Sequence, residues 1–395
     1  MNSLKLVLAV LILIWPASLR ADPANHPRAE ALLHELLATG PRSEMFTPAF
    51  LNAIPLTQLH DISRDMRADI GPVTHVHVEG DRFEIETASH LVTGLIGLNG
   101  MGRIEGLRIL GVTPRVATLD EALAGFAPLG ADVAWLVLKN GEVLAQRQSD
   151  QPLAVGSAFK IAVLKVLSED IAKGVLRWDD VVPLDNSLKS LPSGMLQDYP
   201  DGAPITVQTL ASLMISISDN TATDHLMHLL GRPRIAAALG MDFVPSTREF
   251  FALKFDDDAR QTYLDHPANR AEIAAQAAQA AQAAQTLQKS ASLPAYQPGV
   301  EWYVGLDRLC ALLIETADLT PYRISSGPAS NKDWRQIAYK GGSEIGVLNM
   351  TTVVQDSQGN TLCAAVTLNN DVALDEKAAF SSYRALLNLL RTAAE

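Results

Sequence analysis

Positive charge is what this chain of 395 residues has little of: 32 Lys and Arg stand against 44 Asp and Glu, a formal net charge of −12 at pH 7 with a pI near 5.2. Binding a polyanion needs clustered Lys and Arg to neutralise phosphates, so nucleic acid is not an expected partner. Cysteine is nearly missing. Cys310 falls in a helical pattern and Cys363 in an expected central strand, both among apolar neighbours. Two buried free thiols are expected, and neither reads as a nucleophile. A disulfide stays open, because sequence does not give the distance between them. Long apolar runs are confined to residues 6–15, too short to span a bilayer and followed by Pro16-Ala-Ser-Leu-Arg-Ala21, the layout of a secretory signal cleaved near Ala21. A periplasmic or secreted protein is expected.

With 48% hydrophobic residues, the chain has material for a large core, and its length is comfortable for two domains. Residues 22–115 form the first: helices over 28–38 and 56–67, then strands over 73–78, 82–85, 91–97 and 104–110, an α+β order. Further on, 133–138 and 143–147 flank Lys139-Asn140-Gly141-Glu142, where Asn-Gly selects a tight hairpin turn. The apolar runs 347–354 and 362–368 are separated by Asp356-Ser-Gln-Gly-Asn360 and preceded by Ile337-Ala-Tyr339. That predicts three consecutive antiparallel strands. Residues 373–394 carry apolar side chains at helical spacing. The Ala-Ala-Gln repeats of 271–286 predict an extended or protruding helix, since both residue types favour it.

Three short motifs carry the chemistry. Ser157-Ala-Phe-Lys160 opens a helix-like run, and residues three apart share a helical face, so the Lys160 amine is expected to meet the Ser157 hydroxyl. A serine hydroxyl is a poor nucleophile at neutral pH, and a desolvated lysine is a base that can activate it. Ser218-Asp219-Asn220 follows at the start of an amphipathic stretch, and Lys340-Gly341-Gly342 on the first of the three strands. Singly, each has a plain structural alternative: a helix cap for Ser157 and for Ser218-Asp219-Asn220, an edge-strand charge for Lys340. Their order and strand context together favour a catalytic site.

In these motifs, and from about residue 118 to the end, the chain resembles the class A serine β-lactamases and penicillin-binding proteins, whose signatures are S-x-x-K, S-D-N and K-T-G. The first domain resembles ketosteroid-isomerase-like cones, and the pairing of the two resembles serine hydrolases associated with clavam biosynthesis. Leu191-Pro-Ser-Gly-Met-Leu-Gln-Asp198 and Thr247-Arg-Glu-Phe-Phe-Ala-Leu-Lys254 fit that subgroup. The resemblance implies an α+β fold: a signal peptide over 1–21, an isomerase- or cystatin-like domain over 22–115, and a β-lactamase-like domain over 116–395 with a five-stranded antiparallel sheet flanked by helices and an all-helical subdomain. It also implies acyl transfer to Ser157 from a β-lactam or a related ester or amide, with Lys160 as base, Ser218 as proton relay and Lys340 attracting a substrate carboxylate. The oxyanion would be held by the N–H groups of Ser157 and Ser343. Asn220 would hold a substrate amide through its side chain, Gly342 and Ser343 would also bind substrate, and Asp219 would brace its own loop. The implied partner is a small-molecule substrate, with no cofactor and no metal. The alternative is a penicillin-binding sensor or D,D-peptidase-like protein acylated without fast turnover.

Two departures bear on activity. Gly341 stands where the resemblance calls for Thr, which removes a hydroxyl that would contact a substrate carboxylate and leaves Ser343 or Ser193 as stand-ins. No Glu-x-x-Leu-Asn lies between the second and third motifs. Glu249 is the nearest candidate for activating a deacylating water, and a salt bridge to Arg248 is its expected role. Acylation is therefore better supported than rapid lactam hydrolysis. His75 and His77 alternate along a strand without further ligands and read as solvated or cavity-lining, and His225 and His228 as packing residues.

Overall fold

The computed structural model describes residues 26–284 and 295–392, so the expected signal over 1–21 and the end of the Ala-Gln stretch lie outside the described residues. The chain divides into two units, Met1–Ala122 with Arg384–Leu386 and Leu123–Tyr383 with Leu387–Glu395. Among the described residues, no helix is long and apolar enough to cross a membrane.

In the first unit, helices α1 (His26–Ala38), α2 (Pro48–Ala53) and α3 (Leu56–Ile70) precede an antiparallel meander of β1 (Val73–Glu79), β2 (Arg82–Thr87), β3 (His90–Leu98) and β4 (Ile104–Pro114). Helix α2 was not expected from periodicity. It starts at Thr47, whose Oγ1 accepts from the Phe50 amide at 3.2 Å, with Pro48 in the first helical position. Alternation along β1 to β3 places Val76, Val78, Phe83, Ile85, Val92 and Ile96 in the core with Leu32, Leu33 and Phe50. The same alternation turns His75 and His77 outward, where both are exposed.

The short α4 (Leu119–Ala124) spans the boundary between the units, and the second unit continues with β5 (Asp132–Lys139) and β6 (Glu142–Arg147). Asn140 and Gly141 between them both have positive φ, 50° and 85°, as a two-residue turn matching strand twist requires. After β7 (Leu153–Ala154) come α5 (Lys160–Ala172), the two-stranded β8 (Val181–Pro183) and β9 (Pro204–Thr206), then α6 (Val207–Ser216), α7 (Asn220–Leu230), α8 (Arg232–Leu239), α9 (Thr247–Phe255), α10 (Asp257–Asp265) and α11 (Arg270–Ala284). Strand β10 (Tyr303–Val304) pairs with β7, and α12 (Leu306–Thr316), β11 (Gln336–Glu344), β12 (Val347–Gln355), β13 (Thr361–Asn369) and α13 (Glu376–Thr392) complete the chain.

Five strands form an antiparallel sheet in the order β11-β12-β13-β5-β6. Central strands β12 and β13 are buried almost throughout, which explains their unbroken apolar runs. Val353, Cys363 and Ala365 point to one face, into a core shared with α5, α6, α7 and α12. On the other face, the Tyr383 hydroxyl of α13 lies 2.9 Å from Thr352 Oγ1 and 2.6 Å from the Ala364 carbonyl oxygen.

Two expectations are corrected. Cys310 and Cys363 form a disulfide rather than two free thiols, because α12 lies across β13 and brings their Cα atoms to 6.0 Å. Helix α11 does not protrude within its described residues: Ala274, Ala277 and Ala278 are buried with Ala252, Leu253 and Tyr263, small side chains allowing close approach to α9.

Candidate active site

Strand β11 is an edge strand, hydrogen-bonded to β12 on one side only. Its other side faces the 3₁₀ turn Gly156–Phe159, which carries Ser157 and runs directly into α5 at Lys160. The close approach is made by glycine. A Cβ on Gly342 would overlap the Val155 carbonyl oxygen and the Ser157 nitrogen and stand 2.7 Å from the Gly156 carbonyl carbon; Gly156, at φ +49°, is the matching residue on the turn. Beneath the turn, Phe159 stacks on Trp302 at 4.2 Å and Trp302 on Phe250 at 3.8 Å, while the indole N–H donates to the Pro245 carbonyl. This stack seats the Ser157 turn on a rigid base.

Lys160 is wholly buried and its amine makes three hydrogen bonds: to the Ser218 carbonyl oxygen at 2.8 Å, to Ser218 Oγ at 3.0 Å and to Asn220 Oδ1 at 2.8 Å. The expected direct bond to the Ser157 hydroxyl is not among them. The reason lies in helix geometry: Ser157 occupies a 3₁₀ turn ahead of α5, while the Lys160 side chain runs across to the loop between α6 and α7. Burial, and then repulsion from Lys340, hold the Lys160 amine well below the usual lysine range. Lys340 is buried too. Its amine reaches Ser218 Oγ at 3.1 Å and the Gly341 carbonyl at 2.7 Å, and burial pushes it down to about 7.

One hydroxyl thus bridges two lysines. Ser218 accepts from both, and it does so at φ +58°, a left-handed conformation that costs a non-glycine residue energy and concentrates at functional sites. Asp219 holds that loop: its carboxylate caps α7 through the Ala222 amide at 2.8 Å and accepts from the Met195 and Leu196 amides at 2.7 and 3.0 Å. Asn220 is buried and engaged at both ends of its amide, Oδ1 by Lys160 and Nδ2 by the Leu191 carbonyl at 3.1 Å.

A cleft of about 250 Å³ collects Ser157, Ser193, Ser218, Lys340, Gly341, Gly342 and Ser343 on one wall system, with Ile215, Tyr339, Leu348 and Phe380 supplying apolar surface. Its lining contains no carboxylate among the described residues. Ser343, expected as a stand-in for the missing threonine, spends its hydroxyl on the Glu376 carboxylate. The missing threonine itself has a steric cause: a Cβ on Gly341 would overlap the Tyr339 hydroxyl and approach the Asn349 carbonyl oxygen to 2.7 Å.

Glu249 lies elsewhere. It lines a separate cavity of about 340 Å³, and its ion pair is with Arg232, not with Arg248 as expected. Its carboxylate also accepts from the Ser246 amide at 3.0 Å while Ser246 Oγ accepts from the Glu249 amide, a capping box that ties it to the start of α9. Arg248 instead donates to the Ser187 and Ala278 carbonyls and to Gln282. His225 is buried, with Nδ1 2.7 Å from the Thr221 carbonyl oxygen and Nε2 accepting from the Asp185 amide at 2.8 Å, and burial lowers its pKa; His228 is exposed.

Sequence reasoning missed two residues. Asp224, one turn beyond Asn220, is buried and accepts from the Thr247 amide, the Thr247 hydroxyl and the Arg248 amide at 2.7, 2.8 and 3.0 Å; burial pushes it up to about 6. Its i,i+4 spacing from Asn220 was the available signal. Tyr339 is the other, and the two consecutive glycines after Lys340 were its trace.

A model of the beta-lactamase enzyme family matches residues 117–383. No curated protein matches. Solved structures similar to this chain include a beta-lactamase from Sphaerobacter thermophilus (20% identity, 69% of this chain and 95% of that one, TM-score 0.49). Others are a beta-lactamase from Chitinophaga pinensis (15%, 70% and 98%, TM-score 0.48) and PBP-A (14%, 72% and 100%, TM-score 0.46).

Proposed function

The chain belongs to the beta-lactamase enzyme family, and we propose from that premise that it is an exported serine hydrolase acting by acyl transfer to Ser157. The observation that carries the proposal is the convergence of Lys160 and Lys340 on the Ser218 hydroxyl, within the cleft that Ser157 lines. Lys160, whose hold on its proton burial weakens, takes the Ser157 proton as the oxygen attacks a carbonyl carbon. The tetrahedral oxyanion is stabilised by the Ser157 and Ser343 N–H groups, donors of a kind worth about 3–4 kcal/mol each. As the intermediate collapses, the carbon–nitrogen or carbon–oxygen bond breaks, Ser218 passes its proton to the leaving atom, and Lys160 returns one to Ser218. Asn220 orients Lys160 through its Oδ1.

The substrate class is a β-lactam or a related ester or amide. Because no carboxylate lines the cleft among the described residues, and Glu249 is bound by Arg232, deacylation is slow relative to acylation, which favours esterase or weak β-lactamase behaviour. The same lack favours, as a second reading, a penicillin-binding sensor or D,D-peptidase-like protein that holds its acyl group. Export is supported by the composition of residues 1–21 and by the Cys310–Cys363 disulfide, a bond that persists in oxidising compartments. For residues 22–115 we propose an isomerase-like α+β module, supported by helices followed by a bulged four-stranded meander.

Intact-mass spectrometry after incubation with nitrocefin or penicillin G tests the proposal. Wild type gains one acyl mass that decays over minutes or longer, and Ser157→Ala gains none. An adduct on Ser157→Ala, or no adduct on wild type with any lactam or activated ester, overturns it.

A further inference from the structure

Lys254 is a buried cation that the proposed chemistry leaves unused. Its amine, near the end of α9, donates to Glu301 Oε1 at 2.7 Å and to Glu344 Oε2 at 2.6 Å, and the three side chains are 0%, 0% and 5% exposed. Glu301 Oε1 also accepts from the Gln297 amide at 2.8 Å. The other oxygen of each carboxylate, Glu301 Oε2 and Glu344 Oε1, is buried with no hydrogen-bond partner among the described residues. Burial, and then repulsion from Glu301, raise the Glu344 carboxyl far enough for it to keep its proton at neutral pH, so the cluster carries no net charge. Replacing such a cluster by apolar side chains of similar volume is often neutral or stabilising, so stability does not account for it.

Its place in the fold does. Glu344 follows Ser343 on β11, the strand that supplies one N–H of the proposed oxyanion site. Glu301 precedes Trp302, whose carbonyl oxygen accepts from the Val155 amide at 3.0 Å, and the next two residues, Tyr303 and Val304, pair with Ala154 and Leu153. That segment runs beside the chain entering the Ser157 turn, while the Trp302 ring stacks between Phe159 and Phe250. Lys254 stands one helical turn after Phe250, its amine 4.8 Å from the centre of that ring. One ammonium thus ties β11 to the segment that supports the Ser157 turn. Resting on the serine-hydrolase reading above, we propose that Lys254, Glu301 and Glu344 are positioning residues of the acyl-transfer site, which set the separation of the Ser157 and Ser343 N–H groups. Oxyanion donors act only when held in place beforehand, so slack in this tie lowers the rate of acylation and leaves substrate binding nearly unchanged.

The test separates the acylation rate constant from the dissociation constant by stopped-flow measurement with 4-nitrophenyl acetate, and follows folding by thermal melting. Glu344→Ala leaves Lys254 paired with Glu301 and is expected to fold, with acylation at saturating ester at least tenfold slower and the dissociation constant within threefold of wild type. Glu344→Gln, which matches the protonated carboxyl in shape and charge, keeps acylation within threefold. A triple variant, Lys254→Met with Glu301→Leu and Glu344→Met, is expected to melt within a few degrees of wild type and still acylate at least tenfold more slowly. Acylation within threefold of wild type in Glu344→Ala or in the triple variant, or an equal loss in Glu344→Ala and Glu344→Gln, overturns the positioning role while leaving acylation of Ser157 standing. A triple variant that does not fold overturns it as well, since the cluster then serves stability. Absence of an acetyl adduct on wild type overturns the hydrolase reading and this one with it.

Discussion

Replacing Gly342 by alanine adds one methyl group at the narrowest point of the site. That methyl would stand 2.7 Å from the Gly156 carbonyl carbon and closer still to the Val155 carbonyl oxygen and the Ser157 nitrogen. Carbon contacts are comfortable at about 3.5 Å, so β11 and the Ser157 turn must separate by about 1 Å. All three obstructing groups are backbone, and the turn is held from below by the Phe159–Trp302–Phe250 stack, so no side-chain rotation relieves the overlap. Overpacking of this kind costs about 1–3 kcal/mol of stability, a loss a domain of this size survives. The effect on chemistry is larger, because the same separation moves the Ser157 and Ser343 N–H groups apart, and a 1 Å misplacement costs about 100-fold in rate. Gly342→Ala is therefore expected to fold, to melt a few degrees lower, and to acylate about 100-fold more slowly in a stopped-flow burst assay with an activated ester. Gly100→Ala, where an added Cβ meets nothing within 4 Å, serves as the control for a bare glycine change. Acylation by Gly342→Ala within threefold of wild type would refute the argument that this contact sets the oxyanion site.

Acylation should gain rate as pH rises through the Lys160 titration, which lies well below the usual lysine range; Lys340→Met, by removing repulsion, moves that limb to higher pH, and a limb that stays in place contradicts the coupling. Away from the cleft, Lys254 is buried between Glu301 at 2.7 Å and Glu344 at 2.6 Å, and burial followed by repulsion from Glu301 pushes the Glu344 carboxyl up to about 8. Because its folded value lies above its unfolded one, its contribution is fully present below about 4.5 and lost as pH rises toward 8. Thermal melting should fall across that window and flatten in Glu344→Gln, whereas parallel curves for the two proteins would dismiss the idea. Titrating unreduced, denatured protein for thiols should find none, and Cys310→Ala with Cys363→Ala should lose about 4 kcal/mol in urea unfolding, from the 53-residue separation the bond closes. Two reactive thiols would remove the disulfide from the account.

Much of the fold could be read locally. The Asn140-Gly141 turn, the apolar runs of β12 and β13 and the repeat in α11 each depend on neighbours in sequence, and the structure has all of them where periodicity put them. Helix α2 escaped because six residues are too few to show a period, although its Thr47 cap and Pro48 were visible. Ser157, Ser218 and Lys340 line one cleft, and their order was legible because motif order survives any folding. Contacts between distant segments were not legible. Glu249 pairs with Arg232 instead of its neighbour Arg248, and Cys310 meets Cys363 across a helix-sheet contact that spacing cannot reveal.

What the sequence determined by itself was an order of side chains: a serine, a lysine, a second serine and a second lysine, on elements with a clear local pattern. What only the tertiary structure decided was who touches whom. Lys160 turned out to bond Ser218 and Asn220 instead of Ser157, the absent threonine proved to be displaced by the Tyr339 hydroxyl, and Ser343 was claimed by Glu376. The physical reason is that propensity and periodicity act over a few residues, whereas burial, repulsion and steric exclusion act across whatever the fold brings within a few ångströms.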